Sequence, residues 1–520
     1  MNSRSRTHNS VINMGVGFAG YFINTITGFV CRMVFVRCLP AEYLGISGLF
    51  TNILSMLSLA ELGIGTAIGY ALYKPLANRD EKKIATLMRY YGSAYRAIGV
   101  VVACIGIALL PFLRRLLGDT TYIKESVHII YFAYLFNTCL TYFFGYRATL
   151  LFADQKNYIS IGTSYIITTL QSILQIIFLI FTKNYLIYIA IQTLGALSYN
   201  VIITHIAVKQ YPYIKDKKGE KLDKSEKKAL FINIKALTVA KLSEHLVNGI
   251  DNIIITYFKG IVTVGAASNY TLLSGTLSTL TNQIFSSMTA SVGNFNALND
   301  QEEQYAFFKK LQLANFMIFG WATIGIMFVS SDLVELCFGE DYVLPLSIPF
   351  VLALNFYLVT MQSAVRTFRA TLGLFRYGQY TLVFTAAINL ICSMWFGKLW
   401  GLFGIYFATA VARMLTITWY FPYAVFTHGF HRNPMDYFFI YLKYLVILFM
   451  DGLVCFVICR SIHCPMLLQV ILKMIICSAV PNVLLFAVCG KTEEYRYVLS
   501  KLKALIGALL NRLKIRKNSV

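Results

Sequence analysis

The sequence predicts an all-α integral membrane protein of about 14 transmembrane helices, and three observations carry that expectation. The 520-residue chain is 57% hydrophobic and only 13% charged, where soluble globular chains carry about 25% charged residues. Its mean hydropathy is +0.62. Apolar runs long enough to cross ~30 Å of hydrocarbon recur from Val11 to about Val488. A backbone inside a bilayer finds no water to bond, so runs of this length are helices.

In chain order the runs occupy 11–38, 43–73, 92–113, 122–146, 157–181, 184–208, 229–258, 262–290, 310–330, 343–365, 377–397, 399–424, 437–459 and 465–490. Several exceed the bilayer thickness and should tilt or project from it. The first run should itself act as the insertion signal, because no short apolar stretch ends in a small-residue cleavage site.

Lysine and arginine set the orientation. With the N-terminus inside, about 32 of them fall in cytoplasmic segments and about 8 in outer loops, the rest lying within spans. Both termini are then cytoplasmic. The net charge of +22 reflects crowding at the cytoplasmic helix ends, so nucleic acid is not the expected partner. The eleven cysteines are scattered with no C-x-x-C spacing and read as buried thiols.

Two soluble pieces punctuate the chain. Residues 209–228 hold eight lysines in a turn-prone linker, dividing an N-terminal six-helix bundle (1–208) from a second one (229–424). Two further helices (437–490) precede a basic cytoplasmic tail (491–520). That tail puts Tyr495, Val498, Leu499, Leu502, Leu505, Ile506, Leu509 and Leu513 on one helical face, as an amphipathic helix attracted to anionic lipid does. A shift of 220 residues lays Gly45-Ile-Ser-Gly-Leu-Phe50-Thr51 over Gly265-Ala-Ala-Ser-Asn-Tyr270-Thr271, and sets Arg32 against Asn252. With the linker after span six, this favours two halves of like topology.

Charges inside apolar runs are expensive in lipid and face protein or water. Span one carries Arg32 after Asn24 and Thr25, at a central depth. Span two has Asn52, Ser55, Ser58 and Glu61, with Gly63, Gly65 and Gly69 allowing close helix approach. Span four offers Tyr134, Asn137, Thr141 and Tyr142 as a polar-aromatic face, or as ordinary core. In span seven Lys241, Glu244, His245, Asn248 and Asp251 share one stripe roughly 120° wide. There Glu244 could neutralise Lys241 as a structural pair.

Span eight is rich in small polar groups, including Asn269, that either pack helices or meet a polar substrate. Arg366 and Arg369 in span ten read as inner-mouth anchors or as a phosphate-attracting pair. Arg413 in span twelve lies within an apolar run. An acidic outer loop is expected around Asp332, Glu335, Glu340 and Asp341. No P-loop, H-E-x-x-H or G-x-S-x-G occurs. His428 and His431 lack companions at ligand spacing, so no metal and no cofactor is expected.

The segment Glu42-Tyr43-Leu44-Gly45-Ile-Ser-Gly48-Leu-Phe50, followed by Leu59-Ala60-Glu61-Leu62-Gly63-Ile64-Gly65, resembles the Wzx-type polysaccharide flippases. These belong to the multidrug/oligosaccharidyl-lipid/polysaccharide exporter superfamily, and the likeness covers nearly the whole chain. It implies a MATE-like transporter fold, two six-helix bundles around a cationic central cavity, and no enzymatic step. The implied substrate is an undecaprenyl-pyrophosphate-linked oligosaccharide of the bacterial inner membrane, destined for O-antigen, capsule or exopolysaccharide. Coupling to H+ or Na+ and partnership with a polysaccharide polymerase and chain-length regulator would accompany it.

Charge and depth then nominate Arg32 and Lys241 to hold the phosphates, and Arg366 and Arg369 to gather substrate. Asn248 and Asn269 would bind its polar part. Glu61, Glu244 and Asp251 are the candidates for charge balance or coupling. The alternative is a cation-coupled multidrug exporter of the same superfamily. Such a protein should carry a carboxylate in its first helix, where this chain has Arg32 and no acid. A glycosyltransferase or polymerase would need a larger outer loop than any found.

Overall fold

The computed structural model describes residues 6–57, 64–113, 123, 125–154, 156–215, 250–374, 377–378, 380–462, 464–501 and 503. Helices make up the regular structure of these residues, and no strand occurs among them. Ten of the described helices are long and apolar enough to cross a membrane. The chain divides into two compact units, Met1–Ala266 and Ala267–Val520.

The first unit holds α1 (Arg6–Cys38), α2 (Ala41–Leu57), α3 (Ile64–Ala77), α4 (Glu81–Leu109), α5 (Val127–Phe144), α6 (Ala148–Ala153), α7 (Asn157–Thr182), α8 (Tyr185–Gln210) and α9 (Asp251–Lys259). Helix α1 runs along α7, while α8 packs on both α7 and α5. The core gathers Ile68 and Leu72 of α3, Leu87, Met88, Tyr91 and Tyr95 of α4, and Tyr142 of α5. Helix α4 begins at Glu81, well before the run starting at 92. The Asp80 side chain accepts from the Lys83 amide at 3.0 Å, capping the helix. Ile84, Leu87, Met88 and Tyr91 are buried at helical spacing, so the basic stretch ahead of the third run is largely the polar side of a helix.

Helix α2 lies against α9 and against the start of α10 (Ile261–Leu298). Gly45 makes this approach possible, since a Cβ there would stand 2.2 Å from the Ile261 carbonyl oxygen. The glycine-containing segment that carries the family likeness is therefore a helix-packing surface.

The second unit is built around α11 (Gln301–Phe338), beside α12 (Ser347–Thr360), α13 (Ser363–Thr371), α14 (Thr381–Leu415), α15 (Ile417–Val425), α16 (Met435–Arg460) and α17 (Met466–Cys489). Asp300 caps α11 by accepting from the Glu303 amide at 2.9 Å, and Glu302 and Glu303 sit in its first turn, where the helix dipole favours acid. Phe308, Phe319, Phe356, Phe368, Phe426 and Tyr437 form one core. Between α12 and α13 the helix is interrupted at Met361–Gln362. Buried Asn315 of α11 donates its amide to the Thr360 and Met361 carbonyls at 3.2 and 3.0 Å, satisfying acceptors the break releases.

Helix α14 reverses at Gly401, where φ is +59° and ψ −133°, a conformation open to glycine. The two arms correspond to spans eleven and twelve. They are bonded by Asn389 to Thr409 at 2.7 Å and by Thr385 to Thr416 at 2.7 Å.

Asp332 and Glu335 differ from the expected outer loop: both belong to α11, which continues to Phe338. Asp332 is only 8% exposed, which is tolerable because Lys473 of α17 meets its carboxylate at 2.6 Å.

Residues 493–501 of the tail are helical, and the outer part of the expected amphipathic helix lies beyond the described residues. Its first turn docks on α11 through Lys309–Glu494 at 3.3 Å and Lys310–Glu493 at 2.7 Å. The hydrogen bond and charge of Lys310 lower the pKa of the Glu493 carboxyl. A pKa lowered by docking stabilises the docked form above the ordinary carboxylate range, and this contribution disappears as pH falls through the lowered value. Acid pH or high salt should therefore release the tail, read as faster protease cleavage between Lys491 and Lys503. Lys310→Ser should be released already at neutral pH and low salt. Equal cleavage of variant and wild type at every pH would rule out the latch.

Candidate functional site

Arg32 lies about 9 Å from the Cys38 end of α1, at ~1.5 Å per residue. The residue is half-buried, and its charge reaches the Tyr188 phenol of α8. Around it the helix ends assemble a cluster of aromatic rings and polar groups. Phe35 packs edge-on to Tyr185 and Tyr188 with centroids 5.8 and 5.0 Å apart. Tyr185 and Tyr188 stack at 6.0 Å, and Tyr43 of α2 lies 4.8 Å from Tyr185.

Hydrogen bonds fix these rings. The Tyr134 hydroxyl lies 3.1 Å from that of Tyr185 and donates to Ser47 Oγ at 2.9 Å, while Tyr43 donates to the Glu125 carboxylate. Gln175 of α7 donates to the Tyr188 carbonyl at 3.0 Å and accepts weakly from the Cys31 thiol at 3.8 Å. A cation beside phenol faces can do two things: a guanidinium forks onto phosphate oxygens, and aromatic faces stack on sugar rings.

Of the span-four face, Tyr134 joins this cluster, whereas Tyr142 is buried in the α3–α4 core against Tyr95 at 5.9 Å. Asp251 opens α9 and is 9% exposed, on the helix that packs against α2. Lys241, Glu244, Asn248 and Glu61 lie outside the described residues.

In the second unit Asn269 is fully buried in α10. The neighbouring Tyr270 hydroxyl donates to Ser331 Oγ at 3.3 Å and accepts from the Leu344 amide at 3.0 Å. Thr271, Ser274 and Thr279 turn their hydroxyls back onto carbonyls of their own helix, which satisfies part of the polar face of span eight. Arg366 is exposed and donates to the Val359 carbonyl. Arg369 donates to the Tyr377 carbonyl through Nε at 3.2 Å and an Nη at 2.8 Å, with its guanidinium 4.3 Å above the Phe421 ring. Both arginines thus also fasten local backbone. Buried Arg413 donates to Asn355 Oδ1 at 2.8 Å, and Asn355 donates to the Tyr406 carbonyl at 2.8 Å.

His428 stacks on Tyr377 at 3.9 Å, and among the described residues no group of three His, Cys, Asp or Glu side chains is placed to hold a metal. Sequence reading passed over Asp451, a single acid in the apolar run Leu445–Val457. Lys473 is likewise a single charge in the run 465–490, but nothing in the sequence ties it to Asp332, 141 residues away.

A polytopic all-helical chain with an interrupted helix, a charged helix end and an aromatic cluster is a multi-pass membrane protein. The chain belongs to the polysaccharide biosynthesis protein family, whose model matches residues 10–292, and its fold is that of the multidrug/oligosaccharidyl-lipid/polysaccharide exporter superfamily. Among solved structures it is similar to lipid II flippase MurJ in an inward closed conformation, with TM-score 0.63 and 14% identity over 94% of this chain and 100% of that one. An inward-facing multidrug resistance MATE family transporter matches at TM-score 0.61 and 15% identity, over 81% and 97% of the two chains. A superfamily transporter from Pyrococcus furiosus matches at TM-score 0.50 and 13% identity, over 82% and 95%. No curated protein matches the sequence.

Proposed function

We propose that this protein moves undecaprenyl-pyrophosphate-linked oligosaccharide repeat units from the cytoplasmic to the periplasmic leaflet of the bacterial inner membrane by alternating access. The product would feed O-antigen, capsule or exopolysaccharide assembly, beside a polymerase and a chain-length regulator. Both termini would be cytoplasmic. Arg32 beside the Tyr185–Tyr188 stack is the observation that carries the reading: one substrate end is anionic and the next is a sugar. Membership of a polysaccharide biosynthesis family supports it, as does likeness to a lipid II flippase. In this reading Lys241 completes the phosphate site with Arg32, Arg366 and Arg369 gather substrate, and Asn248 and Asn269 bind its polar part. Glu61, Glu244 and Asp251 balance charge or couple to H+ or Na+.

Likeness to MATE transporters supports a second reading, cation-coupled drug export. An arginine in the first helix, in place of a carboxylate, weighs against a cationic cargo. The test is reconstitution: vesicles holding the protein should translocate a fluorescent undecaprenyl-pyrophosphate oligosaccharide and leave ethidium gradients unchanged. Ethidium export without lipid translocation would overturn the reading.

A further inference from the structure

Helices α16 and α17 carry a carboxyl that the proposed substrate site does not use. Asp451 stands about 24 Å along α16 from Met435, at ~1.5 Å per residue, and is 1% exposed. Neither of its carboxyl oxygens has a hydrogen-bond partner among the described residues. Helix α16 packs on α11 and α17, and Gly452, the next residue, faces Ile324 of α11. On one side along α16 lies the cluster of Ile447, Phe316 and Leu485. On the other lies that of Cys455, Ile324, Phe328 and Cys477. Asp451 therefore sits between two dry clusters, where an ionised carboxylate without donors is strongly disfavoured and takes up a proton instead.

The titratable groups of the packed helices are arranged to one side. Cys455 and Cys459 follow Asp451 at steps of four, on the same face of α16. Both lie with Cys477 of α17 in one buried cluster. Cys459 in turn feels the charges of Lys473 and Asp332, whose ammonium and carboxylate stand 2.6 Å apart. In the opposite direction α16 presents Tyr444, stacked on Phe316 at 4.7 Å. A buried acid, three thiols and one ion pair thus follow one another along α16 and α17.

We propose that Asp451 is a proton-binding site: it rests as the neutral acid and releases its proton past Cys455, Cys459 and Cys477 toward the Lys473–Asp332 pair. On release the O–H bond breaks, the electron pair stays on the carboxylate, and the proton passes to solvent at the Arg460 end of α16. Coupling of this site to substrate movement rests on the translocase reading above; its proton occupancy does not.

Infrared difference spectroscopy on the full chain in lipid nanodiscs tests the occupancy without any substrate. Wild type at neutral pH should show a protonated carboxylic-acid carbonyl band that shifts in D2O and is absent from both Asp451→Asn and Asp451→Leu. In proteoliposomes, Asp451→Asn should lose at least tenfold of the response of lipid translocation to an imposed pH gradient. If the variants keep the full band, the proton site is overturned. If the band is lost but the gradient response is unchanged, the coupling is overturned. A wild type that shows the band yet moves no lipid-linked sugar supports the proton site and counts against the translocase reading alone.

Discussion

Arg32→Ala and Lys241→Ala should each abolish surface polysaccharide while the protein stays at its normal level in the membrane. A hydrogen bond to a charged group contributes about 1.5–3 kcal/mol, so losing one such contact to a phosphate should cut translocation roughly ten- to hundredfold, since each ~1.4 kcal/mol is tenfold. Arg32→Lys keeps the charge but loses the forked geometry, and should restore only part of the rate. The measurement is surface polysaccharide by antibody or lectin, normalised to membrane-fraction protein. Full retention in both alanine variants would remove the central-cation idea. The aromatic partners should separate from the charge: Tyr188→Phe keeps the stack on Tyr185 and should spare most of the activity, whereas Tyr188→Ala should not.

The largest stability effect is expected at the ion pair between α11 and α17. Lys473 and Asp332 meet at 2.6 Å with side chains 13% and 12% exposed, and Gln469 donates to the same carboxylate at 3.1 Å. Asp332→Ala strands a buried ammonium and should cost ~3–5 kcal/mol. Replacing both partners by leucine removes the stranded charge as well, and should return stability to within about 1–2 kcal/mol of wild type. Denaturation of the detergent-solubilised protein, followed by intrinsic fluorescence, gives all three values. Additive losses in the double variant would show that the two residues act separately.

Much of the fold is legible in the sequence because lipid imposes one rule on every segment. Hydropathy alone locates the helices Asn157–Thr182, Tyr185–Gln210, Met435–Arg460 and Met466–Cys489 to within a few residues. Helices that continue beyond the apolar stretch are harder to delimit. The run at 310–330 marks only the middle of α11, which extends to Gln301 and Phe338, because its first turn is exposed and its last turns are packed in protein, and both can carry charge. The same cause hid Asp332, whose partner is 141 residues away in sequence.

The candidate site was legible as chemistry and less so as arrangement. Arg32 is conspicuous in its run, yet its neighbours Tyr43, Tyr134 and Tyr185 come from three other helices with no shared spacing. Arg366 and Arg369 look alike in the sequence, but the first reaches back to Val359 and the second across to Tyr377 and Phe421. Those differences follow from the helix interruption at Met361–Gln362, which no apolar pattern marks.

The reversal at Gly401 has a consequence for how the chain enters the bilayer. Both arms meet at a turn with almost no loop, and Trp395 and Trp400 close the first arm just before it, 64% and 53% exposed, as tryptophans at a membrane–water boundary are. The polar groups of one arm, Thr385 and Asn389, bond to Thr416 and Thr409 of the other. Inserted alone, the first arm would keep the Thr385 hydroxyl on the Thr381 carbonyl at 2.8 Å but present the Asn389 amide unpaired to lipid, at a cost of several kcal/mol. Inserted as a closed hairpin, the two arms carry their hydrogen-bond partners with them. The insertion machinery is thus offered one unit of two helices here, and a nascent chain cut just after Gly401 should fail to settle in the membrane.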